Sequence, residues 1–380
     1  MDNLTHSLFA MTLARTPLSR AGRGTTVALL LASNAPDIDI VATAGGAANY
    51  LAWHRGLTHG PLGILGLGVV SAGLVWLGRR RLDRRNAGRG SSPGAAGATT
   101  PDASFAMLVA VSVVAVLLHV LMDLPTSYGT RLLAPFTWRW FAVDWMPIVD
   151  IYLLIILGAG LAFGQRSHEA RRRNAVIVLL LMAVNYGIRG VSHHQALEVI
   201  PRVFGPTLPQ RCDPAFPSDD VLDSWPQPAP AAIPPSGRRC LVDVAAMPSF
   251  TSPFRWRVIV QVSNGYETRD VDLLDPRLRA DSPAASEAPW RTTTRYPNVW
   301  TPSAARAATT RLGQIFLGFS RFPAARSLTD ESGVTSVRFI DMRFAAGPVT
   351  VDQPVSRAAP FTASVRIGAD GAILQESLGR

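Results

Sequence analysis

The sequence predicts a mainly α membrane domain of about six membrane-embedded helices over residues 1–195, followed by a small α+β extracytoplasmic domain over residues 196–380. Three observations predict it. Hydrophobic residues make up 48% of the chain and gather into long runs. Arginines fall in alternate gaps between those runs. Past about residue 201 the chain turns to Pro-rich loops, including "PQPAPAAIPPSG", and then to strand-like alternation.

Four apolar runs, at about 60–78, 104–122, 148–164 and 175–192, come near the ~20 residues that a spanning helix needs. Two shorter runs, about 3–14 and 25–36, read as short spans or a half-inserted hairpin. The first is expected to be retained rather than cleaved as a signal peptide. Asp2 and His6 stand where a positive n-region belongs, and no small-residue cleavage site follows.

The net charge of +10 comes entirely from arginine, since the chain has no lysine, and reads as a coding bias. Nucleic-acid binding is not expected, because "RRRLDRR" and "RSHEARRR" lack interleaved aromatic platforms and any nucleic-acid module pattern. The arginines instead set orientation. Arg15, Arg20 and Arg23, then Arg79 to Arg89, then Arg166 to Arg173 mark three cytoplasmic loops. Segments 37–59 and 123–147 and everything after about 195 then face outward, which makes six crossings of an inner membrane.

That topology puts His6, Asp37, Asp39, His54, His59, His119 and Asp123 at one level, the outer interface. Asp2/His6 and His119/Asp123 are four apart and share a helical face. A His and a carboxylate so placed can share a metal, or the carboxylate can orient the imidazole. "PDID" puts two carboxylates on one side if extended, and the turn in "HRGLTH" lets both histidines approach the cluster. Singly, each has a plainer reading: an interfacial polar anchor, or capping aspartates. Intramembrane ionisable groups are expensive, however, and four placements at one depth point to a site.

Arg55, Thr126, Ser127, Tyr128, Arg131, Asp144 and Asp150 are candidates for handling an anionic substrate. "PTSYGT" reads equally as a turn and "FTWRW" as an aromatic belt.

The series "MDNLTHSLFAMTLA", "NAPDIDI", "HRGLTHG", "HVLMDLPTSYGTRLLAPF" and "VDWMPIVD" resembles the bacterial inner-membrane, LexA-regulated, metal-dependent hydrolase family over about residues 1–195. It is similar, more distantly, to zinc-dependent phospholipase C and the S1/P1 nucleases. The resemblance implies His6, Asp37, His59, His119 and Asp123 as metal ligands, with Asp39 and His54 as further candidates, and implies phosphoester hydrolysis by analogy. One departure is "THGPLG", where a serine is expected in place of Gly60.

The expectation is therefore a membrane hydrolase with one to three divalent ions, Zn²⁺ first and Mn²⁺ as the alternative. Asp37 or Asp39 is expected to ligate or act as base, with Arg55 holding the anion and Tyr128 assisting. The expected substrate is a membrane lipid, a lipid-linked phosphate or an envelope precursor. The competing classes are an ion-coupled transporter and an inert scaffold with a structural metal.

In the C-terminal region, "FRWRVIVQVSN", "TSVRFIDMRF" and "FTASVRIGADGAIL" read as strands and "SAARAATTRLGQIFLGFSRF" as one helix. Cys212 and Cys240 are the only cysteines. Outside the cytoplasm they are expected to pair.

Overall fold

The computed structural model describes residues 1–87, 101–163, 167–205, 208–212, 223–225, 239–278, 293–345 and 361–379. The Pro-rich stretch and Arg89 and Arg166 of the sequence argument lie outside the described residues. The chain forms two compact units. One comprises 1–40, 55–139 and 146–188, and the other 41–54, 140–145 and 189–380.

The first unit is helical. Helix α1 (Asn3–Leu13) starts at Asp2, whose carboxylate accepts the Thr5 N–H at 3.0 Å. Helix α2 (Thr25–Asn34) runs into a 3₁₀ segment, Ala35–Gly45. Pro36 has no N–H to donate to the ladder, so the α-helix tightens there. The short helix α3 (Ala47–Trp53) belongs to the second unit. Helices α4 (Pro61–Ala87) and α5 (Phe105–Asp123) pack along each other. They approach closely at Gly68, where a Cβ would meet Val113 Cγ2 at 2.5 Å. Helix α2 lies against both, around a core of Ala28, Ala72, Val75, Ala103 and Leu108. Helix α6 (Ile151–Ala162) packs on α1, and α7 (His168–Glu198) passes from one unit into the other.

Four of these segments are long and apolar enough to cross a membrane: Thr25–Gly45, Pro61–Asn86, Phe105–Asp123 and His168–Glu198. The first and fifth apolar runs make helices of only 11 and 12 residues. At ~1.5 Å per residue each is about 17 to 18 Å long, short of the ~30 Å hydrocarbon core. The outer side of α4 shows what lipid contact requires: Leu62, Leu65, Val69, Val70 and Leu74 are all exposed.

At the arginine-bearing ends, polar groups satisfy what the helices leave open. Arg23 pairs with Asp83 and Asp102, each at 2.7 Å. Arg79 donates to the carbonyls of Arg23 and Ala103. Arg15 donates to the carbonyls of Gly160 and Leu161 at the end of α6.

The second unit carries two four-stranded antiparallel sheets. Strands β1 (Trp140–Ala142) and β2 (Asp223–Trp225) form a short antiparallel pair, and strands β3 (Leu241–Pro248), β4 (Arg255–Val262), β5 (Gly265–Asp272) and β6 (Thr294–Pro297) lie in that order in one of the larger sheets. Strands β7 (Pro323–Thr329), β8 (Thr335–Asp341), β9 (Thr362–Ile367) and β10 (Ile373–Leu378) form a meander. Both faces of β4 are covered. Trp256, Val258 and Val260 join Ile200 and Phe204, whereas Ile259 packs with Tyr266, Phe322 and Ile340. The first two predicted strand regions contain β4 and β8, and the third contains β9 and the start of β10, joined by a turn. The single predicted helix is two, Pro302–Ala308 and Arg311–Phe319, because Thr310 caps the second by accepting the Gly313 N–H. Cys212 and Cys240 are disulfide-bonded and pack against Val242.

Candidate metal centre

Three elements of the first unit end at one place. Helix α5 brings His119 and Asp123, whose four-residue spacing puts both side chains on one face, with Nε2 and Oδ2 3.5 Å apart. The 3₁₀ segment after α2 brings Asp37. The turn before α4 brings His59, whose backbone N–H donates to the Gly56 carbonyl. His59 Nε2 lies 3.3 Å from His119 Nε2, 3.3 Å from Asp123 Oδ2 and 3.9 Å from Asp37 Oδ1. Asp37 Oδ1 is 3.7 Å from His119 Nε2. One ligand atom from each of the four residues lies within 4.8 Å of all the others. His59, His119 and Asp123 are buried and Asp37 is partly so.

The surroundings decide which atoms face the centre. His119 Nδ1 is 2.7 Å from the Ser33 carbonyl, which can only accept, so the ring carries its proton on Nδ1. Its Nε2 is then a lone pair aimed at the cluster, the arrangement in which an outer carbonyl orients a metal-binding imidazole. His59 Nδ1 contacts Thr58 Oγ1 at 3.0 Å, which likewise turns Nε2 inward. Asp123 Oδ2 and Asp37 Oδ2 are buried without a hydrogen bond. Buried acceptors crowded together in this way are costly unless a cation joins them.

Two imidazoles and two carboxylates suit a divalent ion such as Zn²⁺ or Mn²⁺. Tetrahedral bonds of ~2.0 to 2.1 Å put ligand atoms about 3.3 to 3.4 Å apart. Five of the six separations are 3.3 to 3.9 Å, and all lie within 4.8 Å, so an ion would draw the ligands, Asp37 above all, somewhat closer together.

The other predicted residues fall around this group or away from it. His6 stacks on His119 with ring centroids 3.8 Å apart, and its Nε2 is 3.4 Å from Asp123 Oδ1. Neither ring nitrogen of this buried histidine has a hydrogen bond. His6 adjoins the four-atom cluster without contributing to it. His54 belongs to the second unit, at the end of α3, where its Nε2 meets Tyr50 Oη at 3.2 Å, and is not among the four clustered residues. Asp37 and Asp39 do not share a side, because their segment is a 3₁₀ helix rather than extended, and two steps of ~120° turn the carboxylates apart. Asp39 accepts the Arg55 backbone N–H at 2.7 Å and is 4.0 Å from His59 Nδ1.

Arg55 is buried and holds a left-handed backbone conformation, φ 50°. Its guanidinium reaches Asp123 Oδ1 at 3.1 Å, the Gly129 carbonyl at 3.0 Å and Thr126 Oγ1 at 3.3 Å. The Tyr128 ring lies 5.0 Å from it. The α-amino group of Met1 also lies against Asp123 Oδ1. One oxygen of Asp123 is thus neutralised by cations while the other faces the cluster.

Of the remaining candidates, Thr126 donates to the Asp123 carbonyl at 2.6 Å, and the Arg131 N–H donates to the Arg55 carbonyl at 3.0 Å. The Ser127 N–H donates to the Met146 carbonyl. Asp150 caps α6 by accepting the Leu153 N–H, and Asp144 pairs with Arg321 in the second unit at 2.5 Å. Gly60, where a serine is expected, has no room for a side chain: a Cβ there would lie 1.8 Å from the Ala134 carbonyl oxygen. The Ser33 carbonyl and the Met1 amine escape sequence reasoning, since a backbone acceptor or terminus carries no residue-type signal.

All four cluster residues fall in the part of the chain that has known relatives. The family model described as YdjM inner membrane protein matches residues 1–196. Uncharacterized protein YfhP of Bacillus subtilis (strain 168) is 30% identical over 129 residues, which is 34% of this chain and 33% of that protein. The chain thus spans about a third of the length of that curated relative. No solved structure matches. With a match over residues 1–196 that takes in the spans Thr25–Gly45, Pro61–Asn86 and Phe105–Asp123 and all four ligand residues, the chain belongs to the YdjM inner membrane protein family.

Proposed function

We propose that this protein is a membrane-bound, metal-dependent hydrolase acting on a phosphoester or lipid-linked substrate at the outer face of the inner membrane. The observation that carries the reading is the convergence of Asp37 Oδ1, His59 Nε2, His119 Nε2 and Asp123 Oδ2 in a buried cluster of acceptors. These four residues would hold the ion. A divalent ion there supplies Lewis acidity toward the scissile group and lowers the pKa of water.

The chain's own groups prepare the rest. Arg55, fixed at its backbone by Asp39 and flanked by Tyr128, takes Asp123 Oδ1 and leaves Oδ2 for the ion. With a divalent ion bound, its charge would add to that of the ion in favouring an anionic substrate. Burial of His59, His119 and Asp123 limits competing water and strengthens each interaction.

Orientation rests on the two ends of the helices. The cluster lies where α2 and α5 end and α4 begins, and Arg23, Arg79, Arg84 and Arg85 stand at the opposite ends. Arginine-rich ends stay cytoplasmic, which turns the cluster outward. The Cys212–Cys240 disulfide supports an oxidising compartment for the second unit. A transporter would carry such groups at mid-span.

The test is a hydrolysis screen on full-length protein in detergent, with phosphodiester, phosphomonoester and lipid-linked substrates. Activity that chelation removes, that Zn²⁺ or Mn²⁺ restores and that Asp123→Asn abolishes is expected. Metal-loaded protein inert toward all of these substrates would contradict the hydrolase reading.

A further inference from the structure

A groove of about 650 Å³ lies beside the start of α7, away from the metal cluster, with Glu169, Arg172, Arg173, Val176 and Ile177 in its wall. Arg172 and Arg173 are exposed, and neither has an ion-pair partner among the described residues. Helical spacing continues the same side of α7 as an apolar strip: Val176, Ile177, Leu180, Leu181, Val184 and Ile188 are all exposed. Two fixed positive charges at one end of a lipid-length apolar strip match one kind of molecule in shape and charge.

We propose that this groove seats an anionic glycerophospholipid of the surrounding bilayer. Its phosphate lies against Arg172 and Arg173, and an acyl chain lies along Val176, Leu180 and Val184. A guanidinium presents a planar fork that matches phosphate oxygens, and arginines near a membrane surface each add about 1 kcal/mol toward anionic lipid. Glu169, the one acid among the described residues of the wall, opposes a second negative group, so a headgroup with a single net negative charge fits best. The claim is independent of the metal centre, and neither reading depends on the other.

Native mass spectrometry of the full chain tests it, with phosphatidylglycerol and phosphatidylcholine of matched acyl chains offered in competition. The expected result is preferential retention of phosphatidylglycerol, reduced roughly ten-fold or more in the Arg172→Gln/Arg173→Gln variant. The Arg84→Gln/Arg85→Gln variant removes the same charge from the end of α4 and should keep the preference. Equal loss in both variants would make the effect one of overall charge and overturn the site. So would an unchanged preference in the first variant, or displacement of the lipid by inorganic phosphate alone. Matching melting temperatures confirm that the exposed substitutions leave the fold intact.

Discussion

His59 and His119 face each other through their Nε2 atoms at 3.3 Å, and His119 is locked in that attitude by the Ser33 carbonyl behind it. Two imidazoles so arranged have one shared use for the space between them and the neighbouring carboxylates, which is to hold a proton or a metal ion. The presence of Asp37 and Asp123 on the same side favours the divalent ion, because it satisfies four ligands at once.

Arg55 stabilises the buried charge of Asp123. Its removal leaves a carboxylate in a low-dielectric setting with one cation fewer, so Arg55→Ala is expected to cost about 3 to 5 kcal/mol. Arg55→Lys should cost less, since it keeps the charge but loses the fork that also reaches Gly129 and Thr126. Unfolding of the two variants in detergent checks the order. Equal stability of wild type and Arg55→Ala would show that the ion pair is not structural.

Gly60 is required by backbone proximity rather than by flexibility. Gly60→Ser places a Cβ onto the Ala134 carbonyl and should cost at least about 3 kcal/mol, since backbone cannot yield as a side-chain tip can. Gly66→Ala and Gly73→Ala on α4 meet nothing within 4 Å and should be neutral or stabilising by up to about 1 kcal/mol. Yield of monodisperse protein and melting temperature separate the two groups.

The Cys212–Cys240 bridge joins residues 28 apart. Closing a loop of that size stabilises by about 3 to 4 kcal/mol in the chain-entropy model. A Cys212→Ala/Cys240→Ala variant should therefore lower the stability of the second unit while metal content of the first is unchanged. Unreduced peptide mapping of protein from cells checks the bond, and free thiols there would contradict an outward second unit.

Much of the centre was legible because chemistry and spacing coincided. His119 and Asp123 share a face by their separation of four, and the arginine pattern put Asp37 and His59 at the same end. His54 is of the same residue type as His59 and lies close to it in sequence. Helix α3 ends at Trp53, however, and His54 turns to Tyr50 on its own helix. Asp39 was placed beside Asp37 on the premise of an extended "PDID", and Pro36 within a 3₁₀ segment parts them. The run at 148–164 looked long enough to span, yet α6 stops at Ala162, where Arg15 and Asn174 take up its last carbonyls. Such long-range closures, like the Ser33 carbonyl behind His119, leave no periodic trace in the chain.

Metal content is the measurement closest to the central claim. Protein purified without chelator should carry at least one divalent ion per chain, with Zn²⁺ expected by its ligands. His59→Ala, His119→Ala and Asp123→Asn should each lower that content ten-fold or more while the protein remains inserted and folded, since each removes a direct ligand. His168→Ala, at the arginine-bearing start of α7, should leave it unchanged. Metal-free wild-type protein that takes up no Zn²⁺ or Mn²⁺ on titration, or ligand variants that keep full metal content, would contradict the account.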